Sequence, residues 1–171
     1  MTVNSATVPT VDRVLERLCD ICAAVGGLVL IAIAGITVVS VVGRAFFSHP
    51  ILGDVELVQL GCAVVVASFL PYTQFKGGNI IVDFFTARAS ARTQGLLDAL
   101  GSALYTVVLA LICWRVLVGG IDIRATRETS MLMGLPLWIP YLLMVPGLAL
   151  CVLIGGVQTV ERLYKSAGER A

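Results

Sequence analysis

Lys76-Gly77-Gly78-Asn79-Ile80-Ile81-Val82-Asp83-Phe84-Phe85 stands between two long apolar runs, and how it is read decides the fold. A lysine, two glycines, an asparagine and an aspartate interrupt a chain that is otherwise largely lipid-soluble. The stretch therefore marks a place where the backbone leaves one apolar segment and turns toward the next. Gly77-Gly78 suits the end of a helix, and Asn79 suits the cap of a following one. Lys76, Asn79 and Asp83 fall at i, i+3 and i+7, which is one face if the segment is helical.

The composition agrees with this reading. Of the 171 residues, 58% are hydrophobic and 13% charged, whereas soluble domains carry roughly 25% charged residues. Mean hydropathy is +0.95. These values describe an all-α membrane protein. A spanning helix needs about 20 apolar residues to cross a hydrocarbon core of about 30 Å, so the chain has room for four spans and short connections. A single membrane domain over 1–171 is expected, with spans at 21–43, 54–74, 95–121 and 136–160.

Before the first span, Val11, Val14, Leu15 and Leu18 form a short amphipathic preface suited to the headgroup region. The apolar run of span one covers about 23 residues, against roughly 7–15 in a signal peptide, so it is expected to be retained. Pro50 breaks the first connection. Between Ile80 and Gln94 a candidate interfacial helix carries Arg88 and Arg92 one turn apart. Span four is expected to start at Pro136, a favoured first-turn residue, and to bend at Pro146. Loop three, Asp122 to Leu135, is the most polar connection.

Lysine and arginine divide unequally between the two sides, eight on the side of the termini and four on the other. Because cytoplasmic loops are enriched in these residues, both termini are expected in the cytoplasm. Trp138, Tyr141 and Tyr164 fall near span ends, where interfacial aromatics concentrate.

Ionisable residues in or near the membrane are the first functional candidates. Arg44, Glu56, Lys76, Asn79, Asp83 and Arg115 are the polar positions expected to make structural or intersubunit contacts. Glu56 is a candidate partner for Arg44 or Arg115, and equally a helix N-terminal carboxylate favoured by the dipole. Arg115 is placed to snorkel outward. In loop three Arg124, Arg127 and Glu128 are candidates for docking a soluble protein.

Several chemistries are set aside. The chain holds no GxxxxGK[ST], HExxH or GxSxG motif. Its single histidine, His49, cannot supply bis-histidine haem ligation, and the five cysteines, an odd number sited mostly in apolar runs, do not form a disulfide framework. Cys19 and Cys22 spell a CxxC at the start of a span, where small apolar packing is the expected role. Neither an enzyme, nor a cofactor, nor nucleic-acid binding is expected.

Gly43-Arg44-Ala45-Phe46-Phe47 followed by Glu56-Leu57, then Gly78-Asn79-Ile80-Ile81-Val82-Asp83, resembles the small permease family (DctQ type) of tripartite ATP-independent periplasmic (TRAP) transporters. Arg127-Glu128-Thr129-Ser130 and Gly134-Leu135-Pro136-Leu137-Trp138, with Tyr141, resemble that family's entry into the fourth span. The likeness runs from about Gly43 to Leu150. It departs where Val55 replaces the first of two adjacent acids and where Asn79 replaces a histidine. The resemblance implies an inner-membrane accessory subunit. Such a subunit braces a large TRAP permease and helps dock a periplasmic substrate-binding protein during sodium-coupled uptake of an organic acid such as a dicarboxylate. A self-sufficient homo-oligomeric exporter or channel is the alternative, although span one lacks the deep acid such exporters use. A redox-complex anchor is a more distant one.

Overall fold

A computed structural model describes residues 9–47, 53–76 and 91–168. Four helices account for nearly all of them: α1 Pro9–Phe47, α2 Asp54–Phe75, α3 Ala91–Thr126 and α4 Trp138–Gly168. Each contains a segment long and apolar enough to cross a bilayer. The chain is an all-α, multi-pass membrane protein.

At 1.5 Å per residue, α1 is about 58 Å long and α2 about 33 Å. Helix α1 is unbroken, so the amphipathic preface and the first span form one rod that extends well past a hydrocarbon core. Of the candidate interfacial helix, residues 91–94 belong to α3, and 80–90 lie outside the described residues. Two further boundaries differ from the sequence reading. Helix α3 continues to Thr126, taking in residues assigned to loop three, and Arg124 in its last turn complements the helix dipole. Helix α4 begins at Trp138 rather than Pro136, because Pro136 forms an isolated antiparallel bridge with Thr129.

Successive helices along the chain run antiparallel and lie in the spatial order α1–α2–α4–α3, so the central neighbours α2 and α4 run parallel. Helix α2 packs on α1 and α4, α4 packs on α2 and α3, and α1 touches α4 only lightly. The result is an open layer in which no more than 33% of any span's apolar stretch is buried inside the chain. One buried cluster joins Ala67 of α2, Leu109 of α3, and Leu148 and Cys151 of α4. A second joins Cys19 of α1 to Leu150 and Ile154 of α4, with Phe75 of α2 against them.

Small residues let the backbones approach, as they do in membrane interfaces generally. The clearest case couples Pro71 and Gly147. Proline has no N–H, so Pro71 leaves the Ala67 carbonyl without its usual donor four residues on. Gly147 lies against that carbonyl, so close that a Cβ there would overlap the oxygen. Pro71 is fully buried. Two sequence positions on different helices thus make one packing feature.

A cleft of about 340 Å³ opens between α1 and α4 over α2, lined by Leu28, Ile33, Ile36, Val64, Ile139 and Leu143 among others. The Cys19–Leu150–Ile154 cluster joins α1 and α4 nearer the chain termini. On the opposite side a furrow of about 330 Å³ runs between α2 and α3 over α4, with Val66, Leu70, Ile112 and Met144 in its walls.

Candidate functional site

Among the described residues, a dense polar network lies at the end of the layer where α1 meets α2 and α3 meets α4. Helix α2 starts there, after Gly53, whose φ of 83° is in the left-handed region that glycine adopts at least cost. Asp54 and Glu56 occupy the first turn, where the exposed N–H groups and the dipole favour negative charge.

Asp54 joins α2 to α1. Its carboxylate accepts a 2.6 Å hydrogen bond from the Ser40 hydroxyl and a 2.8 Å bond from the Val55 backbone N–H. Arg44 reaches the same carboxylate at 3.5 Å with its side chain still 62% exposed. Ser40 is fully buried, so this short bond lies under the ion pair. Arg44 therefore pairs with Asp54 and not with Glu56, because Ser40 and Arg44 lie one turn apart on the α1 face that meets α2.

Glu56 turns the other way and holds the α3–α4 connection. The Ser130 hydroxyl donates to it at 2.5 Å, the Leu132 N–H at 3.1 Å and the Met133 N–H at 3.4 Å. The connection is itself a tight reversal. Ser130 N–H donates to the Leu135 carbonyl, Gly134 N–H to the Ser130 carbonyl, and Leu137 N–H to the Glu128 carbonyl. Gly134 and Arg127 take positive φ values of 65° and 55° to make the turns. With its acceptors committed to the loop, Glu56 pairs with neither Arg44 nor Arg115.

The other candidates are placed as follows. Arg115 is exposed and has no ion-pair partner among the described residues. The Arg124 guanidinium lies 5.1 Å from the centroid of the Trp138 ring, a cation–π distance. Arg127 and Glu128 are exposed, and Glu128 accepts from the Thr126 hydroxyl at 3.1 Å. At the opposite end Lys76 donates to Glu16 at 3.0 Å with both side chains about half exposed. The hydrogen bond to Glu16 raises the Lys76 ammonium above its ordinary value. Asn79 and Asp83 lie outside the described residues.

Sequence reasoning missed two groups. Asp54, Ser40 and Ser130 are partners in the network around the α2 N-terminus. The second group is a polar contact among α2, α3 and α4: Gln158 donates to the Gln74 backbone carbonyl at 3.2 Å, and Ser102 and Thr159 share a 3.0 Å bond. Gln74 is 3% exposed, and its side-chain oxygen has no partner among the described residues. Gln158-Thr159 inside an apolar helix was the available signal, since amides and hydroxyls in spans commonly bond across helices.

All five thiols are free, and among the described residues no group of His, Cys, Asp and Glu is disposed to hold a metal. The carboxylates and hydroxyls described above fix helices and a loop. Fold and site together define a small multi-pass membrane component whose polar groups set its architecture. Residues 33–165 match the family described as tripartite ATP-independent periplasmic transporters, DctQ component, and the chain belongs to it. That family is a non-enzymatic part of a transporter with other components, and membership makes this chain a small subunit of such a system. No curated protein and no solved structure matches the chain.

Proposed function

We propose that this subunit braces a larger permease in the bacterial inner membrane and helps seat a periplasmic binding protein that delivers an organic acid, dicarboxylate-like in size and charge, for sodium-coupled uptake. The carrying observation is the open layer: its helices bury little of their apolar surface in one another and leave a furrow on each face. A scaffold needs such faces for a membrane partner. The charge bias of the sequence supports a cytoplasmic location for both termini, and in that orientation the end bearing Asp54, Glu56 and loop three meets the periplasm. Arg124, Arg127 and Glu128 are then the docking candidates, while Arg44, Lys76 and Arg115 support the scaffold.

The direct test is reconstitution. The chain should co-purify with a large permease subunit, and liposomes should accumulate solute only when both subunits, the binding protein and a sodium gradient are present. Solute transport by this chain alone would overturn the proposal in favour of a self-sufficient homo-oligomer. Charge reversal of Arg124, Arg127 and Glu128 together should cut uptake at least about tenfold, the size expected when several rim charges turn repulsive, with membrane abundance unchanged. Unaltered uptake kinetics in that variant would remove the docking role.

A further inference from the structure

Met131-Leu132-Met133 forms the tip of the α3–α4 connection, and these side chains are 99%, 66% and 38% exposed. Exposure of three consecutive large apolar residues is costly in water. The chain does not leave the tip free to collapse. The Ser130–Leu135 and Leu137–Glu128 backbone bonds close its base, and Glu56 takes the N–H groups of Leu132 and Met133. Met133 also packs on Gly53, so tightly that a Cβ at Gly53 would overlap its side chain.

Glu56 fixes the level of the tip. It sits in the first turn of α2, so the connection, having left α3 at Thr126, folds back beside the start of a membrane span. That is the boundary between headgroups and hydrocarbon. Nearby apolar residues are open at the same end: Phe46 is 80% exposed and Val55 60% exposed. Arg124 stacked on Trp138 supplies the cation and aromatic pair that favours the headgroup layer. An irregular loop can enter this layer only if its backbone polar groups are satisfied, and the Glu56 carboxylate satisfies two of those at the tip.

We propose that Met131-Leu132-Met133 is a bilayer-interface anchor, its side chains seated among phospholipid acyl chains and its backbone held by Glu56, with Arg124 at phosphate level. Phospholipid is favoured as the occupant because Phe46 and Val55 expose apolar surface at the same end and Arg124, stacked on Trp138, is beside the tip to complement phosphate. The inference rests on the four-span fold and is independent of the transport proposal.

The test uses the full chain in nanodiscs of phosphatidylethanolamine and phosphatidylglycerol. Emission from Trp114→Phe/Met131→Trp is compared with Trp114→Phe alone, so that the difference reports position 131. Quenching of that difference by lipids brominated high on the acyl chain should exceed quenching by aqueous iodide at least twofold. Adding Glu56→Gln should lower the bromolipid quenching. In the unsubstituted protein, Met131 should be oxidised by a water-confined oxidant several-fold more slowly in nanodiscs than in a peptide of the same local sequence. Stronger quenching by iodide, or peptide-like oxidation of Met131, overturns the proposal because the tip is then in water. Protection from both quenchers also overturns it, because the tip is then covered by protein.

Discussion

The two seams that α2 makes are built differently. Against α4 it is joined through backbone groups, with Gly147 meeting the Ala67 carbonyl freed by Pro71 and Gln158 donating to the Gln74 carbonyl, while the Glu56 side chain holds the loop that leads into α4. Against α1 it is tied near its ends, by Asp54 with Ser40 and Arg44 at one and by Lys76 with Glu16 at the other. Gly26 and Gly61 give close approach between the ties, but beside them the apolar cleft separates α1 from α4. A seam set by backbone contact cannot adjust by rotating side chains. On this contrast the α2–α4 pair is expected to be the fixed centre of the layer and α1, though it packs on α2 no less extensively, an arm whose ends are set by polar ties.

The strongest way to break this contrast is Gly147→Leu. The side chain would meet backbone, which cannot swing aside, so the cost should reach the upper end of the overpacking range, about 3 kcal/mol. A large drop in folded yield and in melting temperature in detergent is expected. Gly26 faces α2 from α1, where a Cβ would lie 2.9 Å from the Ser68 Cβ and 3.6 Å from the Val65 carbonyl oxygen, so Gly26→Leu should lower both quantities less than Gly147→Leu. Equal losses in the two variants would show that α1 is as tightly seated as α4.

How much of this was legible follows from the same residues. Hydropathy marked four helical spans because each is a long apolar run, a signal that needs no knowledge of partners. The pairing order was not legible: it depends on which helix faces fit, and Pro71 with Gly147 makes sense only once α2 and α4 are side by side. Glu56 stood out as a carboxylate in the first turn of a span. Its true partners were hidden because two are backbone N–H groups, identical in every residue, and the third is a serine 74 positions away. Charge suggested an ion pair with arginine, whereas the fold supplied a loop that wraps onto the helix start. Asp54 was passed over for a related reason, since its closest bond is to the hydroxyl of Ser40, buried inside an apolar stretch.

Ser40→Ala tests the deeper of the α1 ties. It removes the 2.6 Å bond to Asp54 and leaves Arg44 to hold that carboxylate from an exposed position. A hydrogen bond to a carboxylate is stronger than a neutral one but worth less than an overpacked backbone contact, so the fall in stability should be roughly half of that for Gly147→Leu. Spin labels on α1 and α2 near this end should report a broader distance distribution, while labels on α2 and α4 should not change. Broadening across both seams would contradict the division into a fixed centre and an arm.

The smallest effect is expected at the other α1 tie. Lys76 and Glu16 are both about half exposed, and surface pairs of this kind are weak and screened by salt. Lys76→Met should lower the melting temperature only slightly at neutral pH, and less in high salt. The sign of the pH dependence follows from the Lys76 ammonium, raised above its ordinary value of 10.5 first by the hydrogen bond to Glu16. Raised in the folded state, it contributes stability that is fully present below 10.5 and is lost as the pH rises through the folded value. The gap between the parent and Lys76→Met should thus be constant from pH 7 to about 9 and close in strong alkali, where the amine is neutral. Comparing the two proteins cancels the titration of groups that do not interact with Lys76. A gap that persists unchanged in alkali would mean that Lys76 acts through the packing of its methylene stem rather than through its charge, and the ion pair with Glu16 would then contribute nothing to holding this end of α1.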